Sequence, residues 1–312
     1  MFPRPLIPAS VLRLLPLVVV GPLSAGCVIT GAEGRYVERE ERRFSMAGAG
    51  GKDARADVKL MTRDGAIEIR SWDRPEVLVV IERRAFSKEA AAAMTVSSSQ
   101  DGNHVTVDAS TPRGDGLSGL FWGGLGSAKL IVSVPATSDV QATTGDGSVE
   151  LDGVNGTISL RSGDGSINAR NAGGTLAARS GDGSITLNGI KGVVDANTGD
   201  GSIAVTGVLT GLRARSGDGS VAVHAQAGST TEADWDLSSG DGSITIDVPE
   251  NFGAELEART GDGRVHLDGV TLSNVSGEIA RNRANGRLGA GGHAMRVRTG
   301  DGSISIRRVG DR

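Results

Sequence analysis

The sequence predicts an all-β fold: a right-handed parallel β-solenoid of about eighteen-residue coils with a small, mainly-β N-terminal capping region. Three observations lead there. Gly-Asp-Gly recurs with its aspartate at 146, 164, 182, 200, 218, 241, 262 and 301, and the first five lie one constant period apart. Each motif is followed by aliphatic residues in strict alternation. The composition suits a narrow core, with 48 glycines but only 9 prolines, and aromatics limited to Phe 5, Trp 3 and Tyr 1 in 312 residues. A broad core packed around rings is not available to this chain.

Aligned on the first glycine, the fifth position reads Val149, Ile167, Ile185, Ile203, Val221, Ile244, Val265, Ile304, and the seventh Leu151, Ala169, Leu187, Val205, Val223, Ile246, Leu267, Ile306. The residue between them varies, which is the period of a half-buried strand. Half a repeat later a second alternation appears at Ile158 and Leu160, Leu176 and Ala178, Val194 and Ala196, Leu212 and Ala214. Glycine-rich turns separate the two, so each unit reads strand, turn, strand, turn. Asp-Gly and Asn-Gly also signal hairpins, which makes an antiparallel meander the competing topology. A meander would leave one long apolar face, and no amphipathic helix exists to cover it. A solenoid lays the two apolar faces of each coil against each other and stacks equivalent residues ~4.8 Å apart. Right-handed winding follows from the preference of parallel crossovers.

The remaining elements are placed around this repeat. The extra residues from Gln226 to Ser239 and from Thr271 to Ala294 are expected as loops, and the long interval before Asp301 leaves space for one degenerate coil. Ser133-Val134-Pro135 and Asp247-Val248-Pro249 look like one device, a proline that ends a strand without an amide partner. Residues 126–312 are thus read as the solenoid and 53–125 as a β cap. Within the cap, Val58-Leu60-Thr62, Arg63-Asp64-Gly65 and Ile67-Ile69 form a degenerate strand-turn-strand unit. Val77–Ile81 is a β run, Ser87 opens a short helix to Met94, and Gln100-Asp101-Gly102-Asn103 is a hairpin turn. Residues 27–52, charged and then glycine-rich, read as a tether.

Residues 1–26 read as a targeting segment. Arg4 and Arg13 precede the apolar run from Leu14 to Leu23, too short and too interrupted to span a membrane. Ser24-Ala25-Gly26 then leads to Cys27, the chain's only cysteine. The arrangement resembles a bacterial lipoprotein signal, which implies cleavage before Cys27 and a diacylglycerol on its thiol. Lipidation also removes an otherwise unpaired thiol from an oxidising compartment. Val28 follows, not the aspartate that retains enteric lipoproteins at the inner membrane, so the outer membrane is the expected location. Net charge is −4, and loss of a leader carrying only Arg4 and Arg13 makes it more negative. Nucleic acid is therefore not an expected partner.

The Val-Pro coils, the repeated Ser/Thr-Gly-Asp-Gly-Ser-Ile unit and Asp64-Gly65-Ala66-Ile67-Glu68-Ile69-Arg70-Ser71-Trp72-Asp73 together resemble the putative-adhesin β-strand-repeat family of bacterial envelope proteins. The resemblance covers residues 38–309. It implies surface adhesion or, by analogy with Gram-positive relatives, regulation of envelope stress, and it brings no catalytic motif.

Chemistry is sparse. The turn carboxylates Asp146, Asp164, Asp182, Asp200 and Asp218 are the one candidate metal series, a calcium ladder of the kind seen in eighteen-residue toxin repeats. Those repeats place ligands in both half-coils, whereas the eighth position here is Asp152, Arg170, Asn188 and Thr206. Structural turns are favoured, since aspartate caps tight turns and like charges at this spacing in water cost only about 0.9 kcal/mol per neighbour. Arg161, Arg179, Arg215, Arg259 and Arg298, three residues before motif aspartates, are expected to neutralise them. Ser or Thr precedes every motif, a hydrogen-bonding role because a nucleophile is needed only once. His104, His224, His266 and His293 show no ligand spacing. Arg113-Gly114-Asp115 reads as an incidental turn, and Phe121, Trp122, Trp72 and Trp235 as packing residues. No cofactor and no catalytic residue is expected. The reading is a non-catalytic, lipid-anchored envelope protein making multivalent contact with a protein, a glycan or itself. An envelope-stress module is second, and a carbohydrate-active β-helix enzyme third.

Overall fold

The computed structural model of the protein describes residues 27–30, 36–46, 55–109, 126–275 and 280–310, the first of these by backbone alone. They form a 24-stranded sheet with one short helix among the described residues. The alternation read from the sequence becomes paired short strands. After each Gly-Asp-Gly corner comes a strand such as β10 (Val149–Asp152), β12 (Ile167–Arg170) or β16 (Val221–Ala225). The second half of the repeat gives β11 (Asn155–Arg161) and β13 (Gly173–Arg179). In β14 (Ile185–Thr198) and β15 (Ile203–Ser216) the two halves run on as one strand, joining both ladders into a single sheet.

Pairing along the repeats is parallel, and each residue lies opposite its equivalent in the next repeat. One ladder runs Val149, Ile167, Ile185, Ile203, Val221. The other runs Ile158, Leu176, Val194, Leu212. The meander is therefore wrong for this region. The inward columns from both ladders make one continuous core, whose Ile167, Ile185, Ala178 and Ala196 are fully buried. Alanine at every fourth or so inward position holds the two ladders close, so the core is a thin aliphatic seam.

Spatial order departs from chain order at both ends. β3 (Ala56–Thr62) and β4 (Ile67–Trp72) form a coil, as do β7 (His104–Ala109) and β8 (Gly126–Pro135). The chain then continues into β9 (Ser138–Thr143). β3 pairs in parallel with both β7 and β9, and β4 with both β8 and β10. The first coil in the chain is thus second in the stack. The far end repeats the pattern with β17 (Trp235–Ser239), β18 (Ile244–Pro249), β19 (Ala254–Thr260), β20 (Val265–Asp268), β23 (Ala294–Thr299) and β24 (Ile304–Val309). β23 lies between β17 and β19, and β24 between β18 and β20. The last coil in the chain is inserted inside the one before it.

The two Val-Pro sites mark these skips. From Pro135 the chain steps over the β3–β4 coil to reach β9, and from Pro249 it steps over the β23–β24 coil to reach β19. Each turn is closed locally: the Ser138 hydroxyl donates to the Pro135 carbonyl at 2.7 Å, and the Phe252 amide to the Pro249 carbonyl at 3.1 Å. Proline ends the ladder where the strand must leave it.

Several expectations change accordingly. Residues 56–72 are a full coil inside the stack, not a cap on it. Among the described residues, the interval before Asp301 holds β21 (Leu272–Ser273) and β22 (Arg283–Leu288) in place of a degenerate coil, antiparallel strands that close the second ladder beyond β19. Of the residues from Gln226 to Ser239, the last five are β17, in register with Leu212. The expected tether supplies β1 (Cys27–Thr30) and β2 (Tyr36–Ser45). With β5 (Glu76–Ala85) these extend the first ladder antiparallel past β8. β6 (Ser97–Asp101) does the same for the second ladder, in a hairpin with β7. Helix α1 (Lys88–Ala92) begins where Ser87 accepts the Ala90 amide, and it packs Ala91 and Met94 on Ala85.

Candidate functional site

The repeated corner is the most regular chemical feature. In each, the Ser or Thr before Gly-Asp-Gly is buried and its hydroxyl donates to a glycine carbonyl of the neighbouring coil, and in all but Thr198 and Thr299 it also accepts an amide of its own turn. Ser162 accepts the Gly165 amide of its own turn at 3.0 Å and donates to the Gly147 carbonyl of the preceding coil at 2.8 Å. Ser180, Thr198 and Ser216 donate in the same way to Gly165, Gly183 and Gly201 at 2.8–2.9 Å. At the ends, where coils are interleaved, Thr144 donates to Gly65, Thr299 to Gly242 and Thr260 to Gly302. One hydroxyl thus satisfies a buried donor and a buried acceptor on successive coils, each bond contributing about 1 kcal/mol.

The glycines are explained by proximity. None of the motif glycines has a left-handed φ. A Cβ on Gly165 would lie 2.1 Å from the Gly147 carbonyl oxygen, and one on Gly183 2.2 Å from that of Gly165. The turn backbones stack too closely for any side chain, which is why glycine recurs with the period of the coil.

The motif aspartates face solvent. Asp146, Asp164, Asp182, Asp200 and Asp218 are all exposed, and no ion pair among the described residues involves them. The expected neutralisation by arginine does not occur. Arg179 pairs with Asp195 at 3.0 Å, Arg215 with Asp236 at 2.5 Å and Arg298 with Glu257 at 3.2 Å. Those acids lie in the neighbouring outward column of the second ladder, one coil along. The arginines belong to the strand face and the aspartates to the corner, so the short sequence separation does not bring them together. Among the described residues no group of three or more His, Cys, Asp or Glu is arranged to hold a metal.

Three histidines, unconnected in the sequence, find carboxylates across strands. His224 Nδ1 lies 3.3 Å from Asp247, which also accepts two bonds from Arg307 at 2.7 and 3.1 Å. His293 lies 3.5 Å from Asp234, itself paired with Arg296 at 2.9 Å. The Arg296 hydrogen bond lowers the Asp234 carboxyl below its ordinary value, against the opposing effect of burial. His104 bonds Asp57 through Nδ1 at 2.9 Å and Thr106 Oγ1 through Nε2 at 3.2 Å. That order matches an acid–base–hydroxyl relay, but the Asp57 and His104 side chains are 59% and 48% exposed on an open strand face. Water screens such a pair, and a relay needs a shielded base and an oxyanion site. Neighbouring strands, not sequence spacing, create all three pairs.

The other singled-out residues have separate fates. Trp235 is fully buried and meets Phe252 edge-on at 4.9 Å between ring centres, so it packs as expected. Trp72 donates to the Glu76 carbonyl at 2.8 Å, and Arg74 lies over its ring. Arg113-Gly114-Asp115, Phe121 and Trp122 lie outside the described residues. Cys27 is the first residue of β1, opposite Arg39 of β2. No helix among the described residues is long and apolar enough to cross a membrane.

A model of the Toastrack DUF4097 family matches residues 56–307. No curated protein matches the chain. A crystal structure of a putative cell adhesion protein from Clostridium sporogenes ATCC 15579 is similar at 11% identity and a TM-score of 0.27, covering 87% of this chain and 100% of that one. A putative adhesin from Bacteroides fragilis NCTC 9343 is similar at 10% identity and a TM-score of 0.41, covering 87% and 97%.

Proposed function

The chain belongs to the Toastrack DUF4097 family, and on that premise we propose that it is a non-catalytic, adhesin-like envelope lipoprotein. Its body is a right-handed solenoid of about eighteen-residue coils that holds outward side chains in fixed columns. Cys27 carries the lipid, and the outer membrane is the site of anchoring. Binding is multivalent: a partner protein or glycan with a matching repeat meets many weak contacts at once. The observation that carries this reading is the register of the ladders, which places equivalent outward residues at one strand spacing along the whole stack. Asn168, Thr186 and Ala204 on the first ladder and Arg161, Arg179, Asn197 and Arg215 at the end of the second are such columns.

Protease treatment of intact cells followed by crosslinking and capture of the full-length lipoprotein tests the proposal. Adhesion requires cleavage on intact cells and recovery of extracellular or surface glycan and protein partners. Protection on intact cells with one stoichiometric periplasmic partner would overturn it in favour of an envelope-stress module.

A further inference from the structure

We propose that the N-terminal end of the stack rests directly on the lipid bilayer, so that the rod stands away from the membrane. The inference rests on the reading that Cys27 is acylated and adds where the body sits relative to that anchor. Two independent observations carry it.

The first is the length of free chain between anchor and fold, which is none. Cys27 itself heads β1, and its backbone pairs opposite Arg39. β1 leads through β2 and β5 to β8 by unbroken antiparallel pairing. A lipid on Cys27 cannot sit in the bilayer while the end of the first ladder floats far from it. Among the described residues, further β strands stack only on the other side, toward β20.

The second is the chemistry of that end. Phe86, 57% exposed, is the most open of the large apolar side chains among the described residues. It follows Ala85, which lies opposite Tyr36, which in turn lies opposite Thr30 of β1. Arg84, about half exposed, lies two residues before it and the exposed Lys88 two residues after, while Arg39 lies further along β2, opposite Glu82. An open aromatic ring among basic side chains is the composition that settles at a bilayer interface. Acids share this end, Glu40 paired with Arg42 and Arg83 and Glu41 with Arg43. Glu82 is buried and held by Arg39 and Arg84, while Glu38 and Glu89 leave the remaining charge close to balanced. Seating therefore depends on the ring and the anchor more than on net charge. From β1 to β20 the first ladder contains about a dozen strand spacings of ~4.8 Å, which lifts the far end about 58 Å from the lipid.

The test uses the acylated full-length protein in phosphatidylethanolamine/phosphatidylglycerol vesicles, with palmitate incorporation measured first. Acylation of Cys27, the only cysteine, leaves Phe86→Cys or Val275→Cys as the single site for an environment-sensitive aromatic fluorophore, which at position 86 takes the place of the lost ring. Both side chains are exposed, and circular dichroism checks that each variant folds. Brominated lipids are expected to quench the label at position 86 at least about twofold and to leave position 275 unchanged. Equal quenching at both sites would overturn the upright placement in favour of a rod lying flat. No quenching at either site on vesicle-bound, palmitate-labelled protein would overturn the contact itself; crosslinked dimers in that case would assign the face to a second copy. Absence of palmitate would overturn the anchor, and the placement with it.

Discussion

Replacing Gly183 by alanine puts the stacking argument at risk in one position. The new Cβ would sit 2.2 Å from the Gly165 carbonyl oxygen, so the two turns must separate by roughly 1 Å to restore ordinary contact. Three hydrogen bonds converge there. Ser180 donates to Gly165 at 2.9 Å, Gly183 donates to Ser180 at 3.1 Å, and Thr198 donates to Gly183 at 2.9 Å. Losing two of them at about 1 kcal/mol each, with about 1–3 kcal/mol of overpacking strain, gives a destabilisation of about 3–5 kcal/mol. In a chain of this size that is a fall in Tm of roughly 10 °C. Urea unfolding followed by circular dichroism measures it, with Asp182→Ala alongside. Asp182 is exposed and unpaired among the described residues, so its loss should change stability by no more than about 0.5 kcal/mol. A Gly183→Ala protein as stable as the parent, or an Asp182→Ala protein that is the weaker of the two, would refute the claim that the motif exists for close approach of turns.

Other outcomes follow from the same geometry. Ser180→Ala, which leaves the Gly183 amide and Gly165 carbonyl without a partner, should cost about 1–3 kcal/mol in the same unfolding assay. Ser180→Thr should be tolerated, because Thr144 and Thr198 already fill equivalent places. Calcium at millimolar concentration should not move the melting curve, since the motif carboxylates lie in an exposed row with no second ligand series; a rise of several degrees would revive the calcium ladder. Glu82 contributes to the acid limb of stability, alongside the lowered Glu40, Asp139 and Asp234. Burial alone would raise its pKa, but hydrogen bonds from Arg39 and Arg84 outweigh this and hold it below the ordinary 4.5. A lowered carboxyl stabilises the fold fully above that ordinary value and ceases to do so as pH falls through its folded-state value. Glu82→Gln should therefore lower stability at neutral pH and flatten its decline in acid, read from urea midpoints at a series of pH values.

Much of the repeat was legible in the sequence because its causes are local to one coil. The alternation of Val149 with Leu151 and of Ile158 with Leu160 reports burial directly, and a constant interval between motifs reports register. The stacking order at the ends left only faint traces. Val134-Pro135 and Val248-Pro249 mark where a strand leaves its ladder, but nothing in either dipeptide says which coil the chain will step over. The arginine assignment failed for a related reason. Arg179 lies three residues before Asp182 yet reaches Asp195, because the turn between arginine and motif aspartate carries them onto different faces. Asp57 and His104 illustrate the reverse, distant in the chain and adjacent because β3 and β7 pair in register. The hydroxyl series is legible as hydrogen-bonding from its recurrence alone, while its span from one coil to the next arises from stacking, which no single repeat displays.

The interleaved ends have a consequence for how such a rod can break or grow. A solenoid whose terminal turn lies outermost can be peeled from that turn inward, losing one contact surface at a time. Here a pull on the C-terminal segment acts on β23 and β24, each gripped on both flanks, so the load must shear two ladders before anything yields. Deleting that segment would leave a slot between β17 and β19, not a shorter rod. Duplication can lengthen the protein only in its regular middle, where one repeat is interchangeable with the next, and both clasped ends would travel outward unchanged.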